Sequence, residues 1–308
     1  MFSRYLDPKN DLAFKKIFGT EKHKRIPIAF LNAVFNLQGS ERIADLEFLN
    51  TIQPPEIEAR KESIVDVLVR DQSGSKYIVE MQVAKLEGFE KRAQYYAAKT
   101  YCSHFNIGEK YYNLKKVVFL AITDYVVFPE KEGYKSDHVI LDNKTLEHDL
   151  KDFSFTFVEL PKFNKTLDQL NGLEDQWYYF FKHAKESRDI EGILKANSEI
   201  KEAYEVVERI HWTEQELIAY DKIWMSVSDA KGILDAARND GLKEGLEQGL
   251  EQGLEQGIQQ GLEQGRKRAQ IEIAKNMISF GQLSEAIAKL TGLSIEEIES
   301  IKEYTQTT

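Results

Sequence analysis

The stretch SIVDVLVRDQSGSKYIVEMQVA, residues 63 to 84, constrains the fold more than any other part of this chain. Two runs rich in Val, Ile and Leu flank a polar Gln-Ser-Gly break. That composition belongs to two antiparallel strands joined by a short turn, because β-branched side chains fit a pleated, half-buried surface. Successive strand side chains point to opposite faces, so Asp66 shares a face with Ile64 and Leu68, and Glu80 and Gln82 share one with Ile78. Whether the two faces coincide depends on the turn. A three-residue loop of Gln72, Ser73 and Gly74, with Gly74 in the left-handed conformation of a bulged turn, pairs Asp71 with Ser75 and sets Asp66 opposite Glu80. A two-residue turn sets Asp66 opposite Met81 instead. The three-residue loop is the expected one, since it makes use of the glycine.

Carboxylates facing each other across a strand pair oppose sheet formation by a few tenths to about 1 kcal/mol. A divalent cation offsets that repulsion, since hard ions such as Mg²⁺ take carboxylate and carbonyl oxygens and keep waters for substrate phosphates. The alternative is two solvated residues on the open face of a hairpin.

The 308 residues, 42% of them apolar, suffice for one large domain or two with a proper core. A single cysteine, Cys102, excludes an internal disulfide, and no histidine stands at a zinc-ligand spacing. Neither a signal peptide nor an 18-residue apolar stretch is found, so a cytoplasmic chain without a membrane partner is expected. The formal net charge of -10 is unevenly distributed: residues 1–125 carry 19 Lys and Arg against 16 Asp and Glu, and the remainder 22 against 35. The first third can therefore hold a basic groove, with Lys15, Lys16, Lys85, Lys91, Arg92 and Lys99 as contributors, although a charge count does not locate a patch; solvated surface is the other reading for most of them.

Along the chain, LDPKNDLAFKKIFG reads as a short helix capped by Asp7 or Asn10 and stopped at Gly19. A helix at 26–36, a strand at 45–50, the hairpin, a helix over LEGFEKRAQYYAAKTYCSHF and a buried strand at 115–125 follow. SDHVILD and SFTFVELPKF add two strands, and helical patterns take over from about 165. Residues 241–265, GLKEGLEQGLEQGLEQGIQQGLEQG, place glycine at every fourth position. Each glycine costs a helix about 0.8–1 kcal/mol, so the segment needs a partner to be a stable helix; a flexible linker is the other reading. Glycine allows close backbone approach, and a helix here suits self-association. The last 40 residues alternate helix and glycine with the spacing of a helix-turn-helix. Glu296, Glu297, Glu299 and Glu303 on the final helix argue against a DNA-reading role.

The Asp66 and Glu80-x-Gln82 pattern in this α-α-β-β-β-α-β order resembles the PD-(D/E)XK nuclease superfamily, with Gln82 at the usual lysine position. DLAFKKIFG (11–19), IVDVLVRD (64–71), IVEMQV (78–83) and KRAQYYAAKTY (91–101) are together similar to the Rpn group of bacterial recombination-promoting nucleases and transposases. The resemblance implies an α/β restriction-endonuclease-like core, a mixed sheet flanked by helices, followed by an α-helical C-terminal extension. The expected divisions are 1–165, 166–240, 241–265 and 266–308. The resemblance further implies a Mg²⁺-dependent DNA endonuclease, with Mn²⁺ as a substitute ion. Asp66, Glu80 and the Met81 carbonyl oxygen would be metal ligands, Gln82 would orient a water, and Asp11 would act directly or through a water. Asp11 is equally an i,i+4 partner of Lys15. Lys15, Arg92 and Lys99 are candidates for the nucleic-acid backbone, and Tyr96 for stacking or core. Expected partners are DNA, further copies of the chain through the repeat, and a shorter inhibitory C-terminal product beginning at Met225. The alternative function is a catalytically weak or inactive nuclease fold that binds DNA or protein through its oligomerising C-terminal region.

Overall fold

A computed structural model describes residues 3–53, 63–85, 87–103, 110–186 and 190–306. Leu86, His104 and Phe105, which end the helix expected after the hairpin, lie outside the described residues. Asn10 caps α1 (Asp11–Phe18) by accepting the Leu12 amide on its side chain, and Gly19 terminates it. The chain continues through α2 (Arg25–Val34), β1 (Leu46–Phe48), β2 (Ile52–Gln53), β3 (Ser63–Ile64), β4 (Val67–Asp71), β5 (Lys76–Gln82) and α3 (Phe89–Cys102). Then come β6 (Val117–Thr123), β7 (Lys135–Val139), β8 (Phe153–Glu159), α4 (Gly172–His183), α5 (Glu191–Ala196) and α6 (Ser198–Val206). The long helix α7 (Glu214–Ser279), α8 (Ser284–Thr291) and α9 (Ile295–Gln306) complete it.

Among the described residues, strands in the order β1-β4-β5-β6-β8-β7 form a mixed sheet, and β2 pairs separately with β3. The β5–β6 and β6–β8 pairs are parallel and the β1–β4, β4–β5 and β7–β8 pairs antiparallel. Period-two alternation sorts the side chains. Tyr77, Val79 and Met81 of β5 face a core shared with α1, α2, α4 and α6, whereas Ile78 faces the helix α3. On the first face Phe14, Phe18, Phe30, Trp177 and Phe181 interlock, with Phe14–Phe18 centroids 4.9 Å apart and Phe18–Phe181 5.6 Å apart. Each fully buried aromatic contributes about 1.5–3 kcal/mol, and truncating Phe18 to alanine would cost about 3–5 kcal/mol. On the second face Phe89, Ala93 and Ala97 of α3 lie on Leu68, Ile78, Phe119 and Ala121. The two alanines let the helix come close to the strands.

Helices α4 to α6 are built into the first core, so the compact unit runs from Met1 to Lys231. The expected division near residue 165 marks a change from strands to helices along the chain, with one core on both sides of it. The second compact unit is Gly232–Thr308. The glycine repeat lies within α7, and Leu242, Leu246, Leu250, Leu254, Ile258 and Leu262 are 54–74% exposed. Past α7, left-handed Gly281 and Gly292 flank α8, and Ala274, Ile287, Leu293 and Ile298 form a small core. Ser294 and Glu297 make the expected capping box: the Ser294 amide donates to Glu297 Oε2 at 3.0 Å and the Glu297 amide to Ser294 Oγ at 3.2 Å.

Candidate active site

The turn of the β4–β5 hairpin sets the geometry. Asp71 N–H donates to the Ser75 carbonyl at 3.0 Å, Gly74 N–H donates to the Asp71 carbonyl at 3.0 Å, and Gly74 has φ +90°. This is the three-residue loop. Its register pairs Val67 with Val79 and Leu68 with Ile78, and continued by one step it places Asp66 across from Glu80. The two faces therefore coincide, on the side of the sheet covered by α3.

The chain bends at Asp66, between β3 and β4, and the bend brings backbone donors into the site. Met81 N–H donates to Asp66 Oδ2 at 2.8 Å, and Asp66 N–H donates to Glu80 Oε1 at 3.2 Å. Gln82 Nε2 donates to Glu80 Oε2 at 2.9 Å, while Arg92 Nη2 donates to Gln82 Oε1 at 2.7 Å. The Arg92 guanidinium lies 5.0 Å from the Phe89 ring centroid and 5.8 Å from that of Tyr96. From α1, Lys15 Nζ approaches Asp66 Oδ1 at 3.8 Å and pairs with Asp11 Oδ1 at 2.7 Å. Asp11 thus makes the i,i+4 contact with Lys15, and reaches the carboxylate pair through it. Lys99 is half-buried on α3, two turns beyond Arg92.

Glu80 is only 2% exposed. Burial, and then the neighbouring Asp66 charge, push its carboxyl up to about 8 against the pull of Arg92, the Asp66 amide and Gln82. Burial also pushes Asp66 up to about 6, with Asp11 adding to the rise and the Met81 amide, Lys15 and Arg92 opposing it. Two such groups in contact titrate as a pair that retains a proton at neutral pH. Burial works against the charge of Lys15, but its hydrogen bond to Asp11 and the charges of Asp11, Asp66 and Glu80 raise its ammonium overall.

These donors suit a hard divalent cation. Each carboxylate oxygen that accepts one N–H keeps a second lone pair. A strand residue turns its N–H and C=O toward the same edge, so the Met81 carbonyl faces the edge on which its amide meets Asp66. Among the described residues no group of three or more His, Cys, Asp or Glu is placed to hold a metal, so Asp11 does not complete a direct three-acid set. A set built from Asp66, Glu80 and a main-chain oxygen remains. No described helix is long and apolar enough to cross a membrane.

Two contacts had no counterpart in the sequence reading. Asp124, just after β6, donates its amide to the Gln82 carbonyl at 2.9 Å and accepts Lys9 Nζ at 3.0 and 3.1 Å, which fixes the end of β5. Phe89 supplies a ring to Arg92, three residues ahead of it on α3; the i,i+3 spacing was the available signal.

Comparison with curated proteins and with solved structures returns no match. A sequence model for the PD-(D/E)XK nuclease family transposases matches residues 8–237, a stretch that takes in α1, the hairpin, α3 and the strands beyond. With its mixed sheet, flanking helices and acidic hairpin, the chain belongs to the PD-(D/E)XK nuclease family transposases.

Proposed function

We propose that this chain is a Mg²⁺-dependent DNA endonuclease of bacterial recombination or mobile-element type, cutting phosphodiesters with little sequence preference and serving also in phage defence. The observation that carries the reading is the buried contact of Asp66 with Glu80, two carboxyls whose pKa values are raised by burial and, at Glu80, by each other's proximity. Asp66, Glu80 and the Met81 carbonyl would hold Mg²⁺, or Mn²⁺ in its place. When bound, the cation supplies Lewis acidity toward a water and the scissile phosphate. Gln82 can donate and accept hydrogen bonds and so orient a water, but it cannot titrate as a base. Asp11 would act through a water, by way of its pairing with Lys15. The Lys15 and Lys99 side chains carry the positive charge for the DNA backbone. Nicking of supercoiled plasmid with Mg²⁺ by the full-length chain tests this reading: equal nicking by the native protein and by Asp66→Ala or Glu80→Ala overturns it.

A second reading is favoured by the neutral amide at Gln82 and by the apolar stripe of the repeat, whose leucines are 64–74% exposed. The chain would then be a weak or inactive nuclease fold that binds DNA or protein and assembles through α7. Magnesium titration calorimetry without heat, together with retained DNA binding, selects this reading. In either case homo-oligomers form through residues 241–265, and a product starting at the exposed Met225 carries the whole second unit and joins those assemblies as an inhibitor. Size-exclusion chromatography of a 241–265 deletion, which should run as a monomer, checks this.

A further inference from the structure

Gln82 sits between two groups of opposite character. A guanidinium only donates hydrogen bonds, so an amide that meets it has one orientation: oxygen toward Arg92, which leaves the NH₂ toward Glu80 Oε2. The distances, 2.7 Å from Arg92 Nη2 to Gln82 Oε1 and 2.9 Å from Gln82 Nε2 to Glu80 Oε2, fit that orientation. The guanidinium is held by the rings of Phe89 and Tyr96. Its Nε is buried with no acceptor among the described residues, and its Nη2 donates to the neutral amide oxygen rather than to an acid. Beside its through-space pull on Asp66 and Glu80, Arg92 thus polarises one amide.

We infer that Gln82 and Arg92 form a matched unit in which Arg92 is a positioning residue, orienting and polarising the Gln82 amide so that a neutral N–H, not an ammonium, steadies Glu80 against Asp66. The catalytic consequence rests on the nuclease reading above; the pairing itself does not. A cationic side chain at position 82 would face the guanidinium and leave Nη2 without an acceptor, so position 82 accepts lysine only when position 92 is neutral. The relay also turns Arg92 inward, away from the DNA backbone to which sequence alone assigns it.

The test is a double-variant cycle on the full-length chain: Arg92→Leu, Gln82→Lys, the two combined, and Arg92→Lys. Three quantities are read: the metal-free melting temperature, plasmid nicking with Mg²⁺, and DNA affinity in Ca²⁺ as a function of salt. Arg92→Leu and Gln82→Lys should each lower the melting temperature and slow nicking about tenfold or more. The combination should recover most of both losses, and Arg92→Lys should regain part of the nicking. DNA affinity and its salt dependence should be unchanged in Arg92→Leu. Losses that simply add in the combined variant overturn the matched unit, as does native nicking by Arg92→Leu. A fall in DNA affinity with a salt slope reduced by about one makes Arg92 a phosphate contact instead. If the native chain nicks nothing, the nuclease reading fails while the melting cycle still decides the pairing.

Discussion

The two ends of the β4–β5 hairpin carry the same kind of residue and put it to opposite uses. At the turn, Asp71 Oδ1 accepts the amides of Ser73 (2.8 Å) and Ser75 (3.0 Å) and the Ser73 hydroxyl (2.7 Å), while Oδ2 accepts Tyr77 Oη at 3.2 Å. One side chain takes up two amides and a hydroxyl of the turn, the Gly74 amide goes to the Asp71 carbonyl, and the result is a fixed loop. Roughly five residues away on each strand, Asp66 and Glu80 share one backbone amide apiece and face each other in a buried space. Surrounding donors, not the carboxylate itself, decide whether an acidic residue closes a turn or keeps oxygen lone pairs unused.

The largest expected effect would break that contrast if it failed to appear. Asp66→Ala and Glu80→Ala should each lower Mg²⁺-dependent nicking by about a hundredfold or more, while Asp71→Ala should leave the rate near native; equal losses in a plasmid assay would mean that both ends serve one purpose. The second effect concerns pH. A carboxyl whose folded-state pKa lies above its unfolded value stabilises the fold fully below the unfolded value and ceases to do so as pH rises through the folded one. With Glu80 raised to about 8, metal-free stability should fall between the usual glutamate range and pH 8, at up to about 1.4 kcal/mol per pH unit for one retained proton. Chemical denaturation at several pH values should show the slope, Glu80→Gln should flatten it, and Mg²⁺ should oppose it. The third effect is on the turn: Asp71→Ala should cost about 1 kcal/mol or somewhat more, since it strips partners from the loop amides. The smallest is Gly74→Ala, at about 1 kcal/mol, because φ +90° disfavours any side chain while the neighbouring Lys115 stem, 3.2 Å from a built Cβ, is able to move. Thermal or urea melts order these last two.

The hairpin was legible because its information is local. Gly74 fixed the loop, the loop fixed the register, and the register placed Asp66 against Glu80. Capping by Asn10 and the stop at Gly19 were legible for the same reason. The sheet order was not, since nothing local to 117–123 or 153–159 states that β6 lies between β5 and β8. The surroundings of the site were harder still. Lys15 meets Asp66 only because α1 docks near the end of β5, and Arg92 finds Gln82 only because Ala93 and Ala97 let α3 settle on the same sheet face. The contact of Arg92 with Gln82 joins residues ten apart on different elements, and neither carries a local sign of the other.

The spacing of the glycines in α7 has a geometric outcome of its own. At 3.6 residues per turn, a feature repeated every four residues advances about 40° round the axis and about 6 Å along it at each step. The ridge of Leu242 to Leu262 is therefore a helical thread, on which Gly-Leu-Glu-Gln stands at four of the six steps, with Gly-Leu-Lys-Glu at the first and Gly-Ile-Gln-Gln at the fifth. Adding or losing one Gly-Leu-Glu-Gln tetrapeptide changes the count of turns in such a thread without changing its pitch.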